Sequence, residues 1–179
     1  DRVFLQSELE EVSLPDGLKV IPDEAFYRCE KLGKVNFPDG LESIGKFAFG
    51  ETHLPAEVVL PQSVKHIGRG AFRKNAVPYE RFVLPEGLET IERQAFGSSV
   101  LPNGIVIPGS VRRIEEVAFS GCGWKNIVIP EGVEYIGLGS FQLNYATEVS
   151  LPSTLKYIDA NAFSDNDFEK IALPEGLRS

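Results

Sequence analysis

Few residue types in this chain are suited to chemistry. His53 and His66 are its only histidines, and Cys29 and Cys122 its only cysteines. Imidazole and thiolate are the groups best able to hold zinc or to act as base and nucleophile near neutral pH. A zinc centre brings several such ligands together, yet neither histidine has another His or a Cys at ligand spacing. No G-x-S-x-G elbow, phosphate-binding loop or dinucleotide fingerprint is present. Acidic residues are plentiful at 26, but spread along the chain they solvate a surface rather than form an acid–base pair. These features predict no enzyme, no cofactor and no metal.

Both cysteines stand fourteen residues after a proline, and that proline recurs. Pro15, Pro38, Pro61, Pro85, Pro108, Pro130, Pro152 and Pro174 follow one another at intervals of 22 to 24 residues. Three places after each comes Leu or Val, from Leu18 and Leu41 to Leu155 and Leu177. Six places after comes isoleucine, from Ile21 to Ile158, and eleven places after comes phenylalanine: Phe26, Phe49, Phe72, Phe96, Phe119, Phe141 and Phe163. Alanine precedes each phenylalanine except Phe141, which follows Ser140. A fixed period of this length is the mark of a solenoid, in which each unit buries its apolar face only against its neighbours.

Within a unit, β-branched and apolar residues alternate ahead of the proline, as in Val58 and Leu60 or Ile127 and Ile129, which predicts a short strand. Proline ends it, having no N–H for a parallel neighbour. The stretch before Ala-Phe, such as Glu92-Arg93-Gln94, reads as a turn of helix, with Asp23, Glu24, Glu92, Glu115 and Asp159 favouring its positive end. The expected fold is an α/β solenoid: a right-handed leucine-rich-repeat superhelix of about seven repeats of 22–24 residues. A parallel β-sheet forms one wall and short helices or turns the other, with the phenylalanines stacked between. Residues 1–179 read as a single domain: 1–14 a partial repeat, 15–173 seven repeats, and 174–179 the start of another. The raw ends suggest a fragment of a longer protein. Four repeats apart, Cys29 and Cys122 should lie about 19 Å from each other, too far for a disulfide.

The composition, 42% hydrophobic and 25% charged, belongs to a folded chain. No apolar run approaches the length of a membrane span. With a net charge of −8 and no run of Lys or Arg, nucleic acid is excluded as the expected partner.

The recurrent LPxGLxxIxxxAF, with Val or Ile three before the proline and Cys29 and Cys122 in equivalent places, resembles the BspA-like class of leucine-rich repeats over essentially the whole chain. The resemblance implies a bacterial cell-surface or secreted protein, several of whose relatives are adhesins. The implied function is noncatalytic binding of a protein, with a host extracellular or cell-surface macromolecule as the expected partner. The alternative is a spacer or scaffold that displays another module.

Overlaying the units exposes possible contact surfaces. Two places before the proline, Val59, Val83, Val106 and Val128 form an apolar stripe. Five places after it, His66, Thr90, Arg113, Tyr135 and Tyr157 form a varied row. Four after the proline, charges alternate through Lys19, Glu42, Lys65, Glu89, Arg112, Glu134 and Lys156. Four before it the file runs Glu11, Lys34, Glu57, Arg81, Gly104, Asn126, Glu148 and Lys170. Both predict exposed ion ladders worth ~0–1 kcal/mol per link.

Overall fold

The computed structural model describes residues 2–75, 77–102 and 105–178. Most coils contribute one strand before the proline and one after it. In chain order these are β1 (Glu11–Ser13) and β2 (Val20–Ile21), β3 (Lys34–Asn36) and β4 (Ser43–Ile44), and β5 (Glu57–Val59) and β6 (His66–Ile67). Next come β7 (Arg81–Val83) and β8 (Thr90–Ile91), then β9 (Arg113–Ile114) alone. β10 (Asn126–Val128) and β11 (Tyr135–Ile136), then β12 (Glu148–Ser150) and β13 (Tyr157–Ile158), complete the set. Every pairing between them is parallel, and like positions of successive coils face one another, as in Ile21↔Ile44↔Ile67 and Ile91↔Ile114↔Ile136↔Ile158. The chain is therefore a parallel β-solenoid.

The proline sets the corner between the two strands. Its carbonyl accepts from the amide three residues on, as in Leu18 N to Pro15 O (2.9 Å) and Val111 N to Pro108 O (3.0 Å). That turn aims Leu41, Val64, Leu88, Val111 and Val133 into the core, all fully buried. The phenylalanines stack in one file from Phe4 to Phe163, with ring centroids 5.2–5.7 Å apart and planes within 19°. Each ring is an offset neighbour of the next, a favourable geometry for aromatic pairs, and burial of each ring from Phe26 to Phe141 contributes roughly 1.5–3 kcal/mol.

The wall carrying Ala-Phe is not helical: among the described residues there is no helix. Its amides alternate instead between their own coil and the next. Phe47, Phe49 and Glu51 donate to the carbonyls of Arg69, Ala71 and Arg73 in the following coil (2.8–2.9 Å), while Ala48 and Gly50 donate back three residues to Gly45 and Phe47. Helical amides would all bond within the segment and leave the coils unjoined. The alternation requires left-handed backbone at two points per coil, for example φ 53° at Phe47 and 54° at Glu51, 59° at Gln94 and 60° at Ser98. The acidic residues expected to sit on a helix dipole have other work, such as Asp23, whose Oδ1 accepts from the Lys46 amide at 2.7 Å.

The strand wall is segmented. The pre-proline strands pair as β1–β3, β5–β7 and β10–β12; the post-proline strands form β2–β4–β6 and β8–β9–β11–β13. The break between β6 and β8 falls across the longest interval, the 24 residues from Pro61 to Pro85.

Fourteen places after the proline, a buried polar file runs beside the rings. Asn144 Nδ2 donates to the carbonyls of Phe119 and Phe141 (both 2.9 Å), while its Oδ1 accepts from the amides of Cys122 (3.0 Å) and Trp124 (3.3 Å). Asn75 and Asn166 bridge adjacent phenylalanine carbonyls in the same way. Cys29 and Cys122 are free, buried members of this file, their thiols donating to the carbonyls of Phe4 (2.9 Å) and Phe96 (3.2 Å). Burial raises both thiol pKa values, which leaves them unreactive.

Candidate functional site

The four-stranded sheet turns the varied row into a surface. Thr90, Arg113, Tyr135 and Tyr157 lie side by side in register on β8, β9, β11 and β13. The following isoleucine of each strand points inward, so these side chains project outward. Arg113 lies over the Tyr135 ring, its guanidinium carbon 4.0 Å from the centroid. Two carboxylates brace the pair: Glu115 Oε1 accepts from Arg113 Nε (2.8 Å), and Asp159 Oδ2 accepts from the Tyr135 hydroxyl (3.2 Å). Gly137 occupies the equivalent place between Glu115 and Asp159, where an added Cβ would meet the Glu115 backbone at 2.9 Å. Burial, followed by the hydrogen bond and charge of Asp159, raises the Tyr135 pKa, so the hydroxyl stays neutral. Tyr157 remains 43% exposed beside it. The sequence places Glu115 and Asp159 at a helix start, whereas both, seven residues after a proline, brace the pair of Arg113 and Tyr135.

His66 is not part of this group. It lies on β6 opposite Ser43, in a different sheet from Thr90. The valine stripe is likewise divided. Val59 and Val83 pair in register, with Val59 49% exposed and Val83 half-buried. Val106 (72% exposed) lies outside any strand, and Val128 (58%) belongs to the separate β10–β12 sheet. Val83 and Val106 both line a cleft of about 300 Å³ between them, with Ile105, Pro102 and Arg81.

Of the two charged files, Lys19–Glu42 (2.9 Å) and Glu134–Lys156 (2.7 Å) form in the first and Glu11–Lys34 (2.5 Å) in the second. Lysine hydrogen bonds hold Glu42 and Glu134 below the ordinary carboxylate range. Lys65 and Glu89 straddle the sheet break, while Arg112 turns to the Gly109 carbonyl (3.2 Å). Glu57 and Arg81 are in register, but no ion pair joins them among the described residues, and Gly104 lies outside those residues. Among the described residues no group of three His, Cys, Asp or Glu side chains could hold a metal ion, and no helix is long and apolar enough to cross a membrane.

The fold has solved relatives. Over 95% of its length the chain is similar to a leucine-rich repeat protein from Bacteroides ovatus (25% identity, TM-score 0.63), and over 88% to a leucine rich repeat protein of T. pallidum (26% identity, TM-score 0.54). It spans 38% and 63% of those two proteins. A leucine rich cell surface protein of Faecalibacterium prausnitzii is also similar, over 89% of this chain and 58% of its own (24% identity, TM-score 0.45). No curated protein matches. The model of the BspA type leucine rich repeat region matches in six copies over residues 1–122 and 74–179, giving about six turns where the proline register counts seven repeats. With its Ala-Phe file stacked into one column and its prolines at every corner, the chain belongs to the BspA type leucine rich repeat family.

Proposed function

We propose that this chain is a noncatalytic protein-binding module of a bacterial cell-surface protein, adhering to a host extracellular macromolecule through its outward tyrosine–arginine row. The observation that carries this reading is the braced pair of Arg113 and Tyr135, with the exposed Tyr157 in the next strand. Arginine and tyrosine are the residue types that dominate protein interfaces, because they combine large contact area with directional hydrogen bonding. The rigid stack beneath holds them in place without an ordering cost at binding. Val106, outside any strand, and Val128, on β10, supply exposed apolar area. His66 and Val59 stand apart from the row and belong to the outer part of such a contact. Membership of a family of bacterial surface proteins supports the location.

The test is capture from an extracellular-matrix extract on immobilised chain. Wild type should retain a saturable component that a Tyr135→Ala/Tyr157→Ala variant loses and a Lys19→Ser variant keeps. A chain that retains nothing, or a double variant that retains as much as wild type, is the behaviour of a spacer and rejects the proposal.

A further inference from the structure

We infer that the Ala-Phe wall carries a second binding surface, for an acidic polysaccharide. Eight places after the proline the chain reads Asp23, Lys46, Arg69, Arg93 and Glu116. Backbone bonds from Phe47 to Arg69 (2.9 Å), Gly70 to Arg93 (3.0 Å) and Gln94 to Glu116 (3.0 Å) stack these positions in a file. Three cations in succession at a pitch of about 5 Å repel one another. The file four after the proline does the opposite and alternates its signs. Arg93 is compensated by Glu116 at 2.9 Å. Among the described residues, no carboxylate pairs with Lys46, Arg69 or the nearby Arg73.

Arg69 and Arg73 are held instead by one ring. Their guanidinium carbons lie 5.5 and 5.8 Å from the Phe47 centroid. Gly70 makes room for that ring: its φ is +62°, and any Cβ there would collide with Phe47. Ring packing thus fixes both cations while leaving their donors largely unspent. Arg69 makes no side-chain hydrogen bond among the described residues, and Arg73 makes one long contact, 3.4 Å to Gln94 Oε1. A guanidinium with free donors takes a carboxylate or sulfate in bidentate fashion.

Arg73 also forms the lip of a recess of about 210 Å³ lined by Gln94, Ser98, Ser120 and Gln142. These neutral amides and hydroxyls both donate and accept, which suits sugar hydroxyls. Val117 is the one bulky apolar side chain in the lining of the recess, a poor anchor for an acidic peptide. Nucleic acid would need open aromatic platforms for its bases, and Phe47 is already covered by two guanidinium groups. A repeated cation file beside a polar recess matches a polymer that alternates anionic groups with hydroxylated rings.

The surface is independent of the tyrosine row, so the two can fail separately. The experiment is calorimetric titration of the whole chain with heparin, beside polyglutamate and single-stranded DNA of equal charge. Heparin should bind best, with an affinity that falls as salt rises. Arg69→Gln with Arg73→Gln should weaken it about tenfold or more and flatten the salt dependence. Phe47→Leu, which leaves net charge unchanged, should weaken it about threefold, and Arg113→Gln should change nothing. Glu51→Gln should tighten binding, because Glu51 now occupies Arg28 (2.9 Å) and Lys74 (3.8 Å). That variant decides the matter if the double variant does not fold. Failure of heparin to bind, binding of polyglutamate or DNA as tightly as heparin, or indifference of the affinity to these back-wall variants overturns the inference.

Discussion

The guanidinium of Arg113 rests 4.0 Å from the centre of the Tyr135 ring one strand away. Such a contact at an exposed site is worth about 0.5–1 kcal/mol. A double-mutant cycle of Arg113→Met and Tyr135→Leu, followed by urea denaturation, should return a coupling of that size. A coupling of zero would mean that the two side chains are merely adjacent.

Phe96 is fully buried, stacked on Phe72 at 5.6 Å and Phe119 at 5.4 Å, with Phe82 edge-on at 5.2 Å. Phe96→Ala should cost about 3–5 kcal/mol. Since each coil is supported only by its neighbours, the loss should also uncouple the two halves. Thermal unfolding in two steps, where wild type shows one, is the expected result.

Asn144 serves three carbonyls, that of Gln142 at a long 3.4 Å, and two amides from one buried side chain. An isosteric Asn144→Leu leaves the Phe119 carbonyl and the Cys122 and Trp124 amides without partners, while the Phe141 carbonyl keeps Asn166, at about 1–3 kcal/mol for each buried group left unmet. Denaturation should show a loss of at least about 2 kcal/mol. Hydrogen exchange at the Cys122 and Trp124 amides should accelerate more than at Phe119, whose amide donates to the Ser140 carbonyl. Equal acceleration at all three would contradict a local role.

Val117 adopts φ +49°, a conformation that a β-branched residue takes only under strain. Asparagine tolerates this region far better, and Asn161 already occupies the equivalent place at +56°. Val117→Asn should therefore raise stability by about 1 kcal/mol. A lower melting temperature would show that Val117 contributes packing that outweighs its backbone cost.

Glu51 receives the Tyr27 hydroxyl (3.0 Å) and Arg28 Nε (2.9 Å). Burial raises its pKa, but the hydrogen bonds and charges of Arg28, Tyr27 and Lys74 together outweigh burial and lower it. A carboxylate with a lowered folded-state pKa contributes stability above its unfolded value, near 4.3, and loses it as pH falls through the folded value. Glu51→Gln should cost about 1 kcal/mol at pH 7 and nothing at a pH below both values. A variant whose deficit stays constant down to pH 2 would assign the loss to packing.

Some elements were legible from the residues and others were not. The inward leucines and isoleucines and the ring file follow from periodicity, since only stacked coils can bury one apolar side chain per period. Glu92-Arg93-Gln94-Ala95-Phe96 reads as a turn of helix because it consists of ordinary helix formers, yet the wall is not helical. Intrinsic propensity is weak over one turn, and it yields when alternate amides can bond to the next coil. The left-handed residues that this requires include Gly70, Gly139 and Asn161, a faint signal diluted by Phe47, Gln94 and Val117 in the same place.

From the amino-acid order alone came the solenoid, its corner prolines, its aromatic spine and its two unbridged thiols. These depend only on a period repeated often enough that no other packing satisfies every unit at once. Which side chains meet across coils was decided in three dimensions. Arg69 and Arg73 share the ring of Phe47, Arg113 lies on Tyr135, and His66 is parted from Thr90 by a break between sheets. Those contacts join residues roughly twenty or more positions apart, and their geometry depends on where each ladder of hydrogen bonds runs and where it stops.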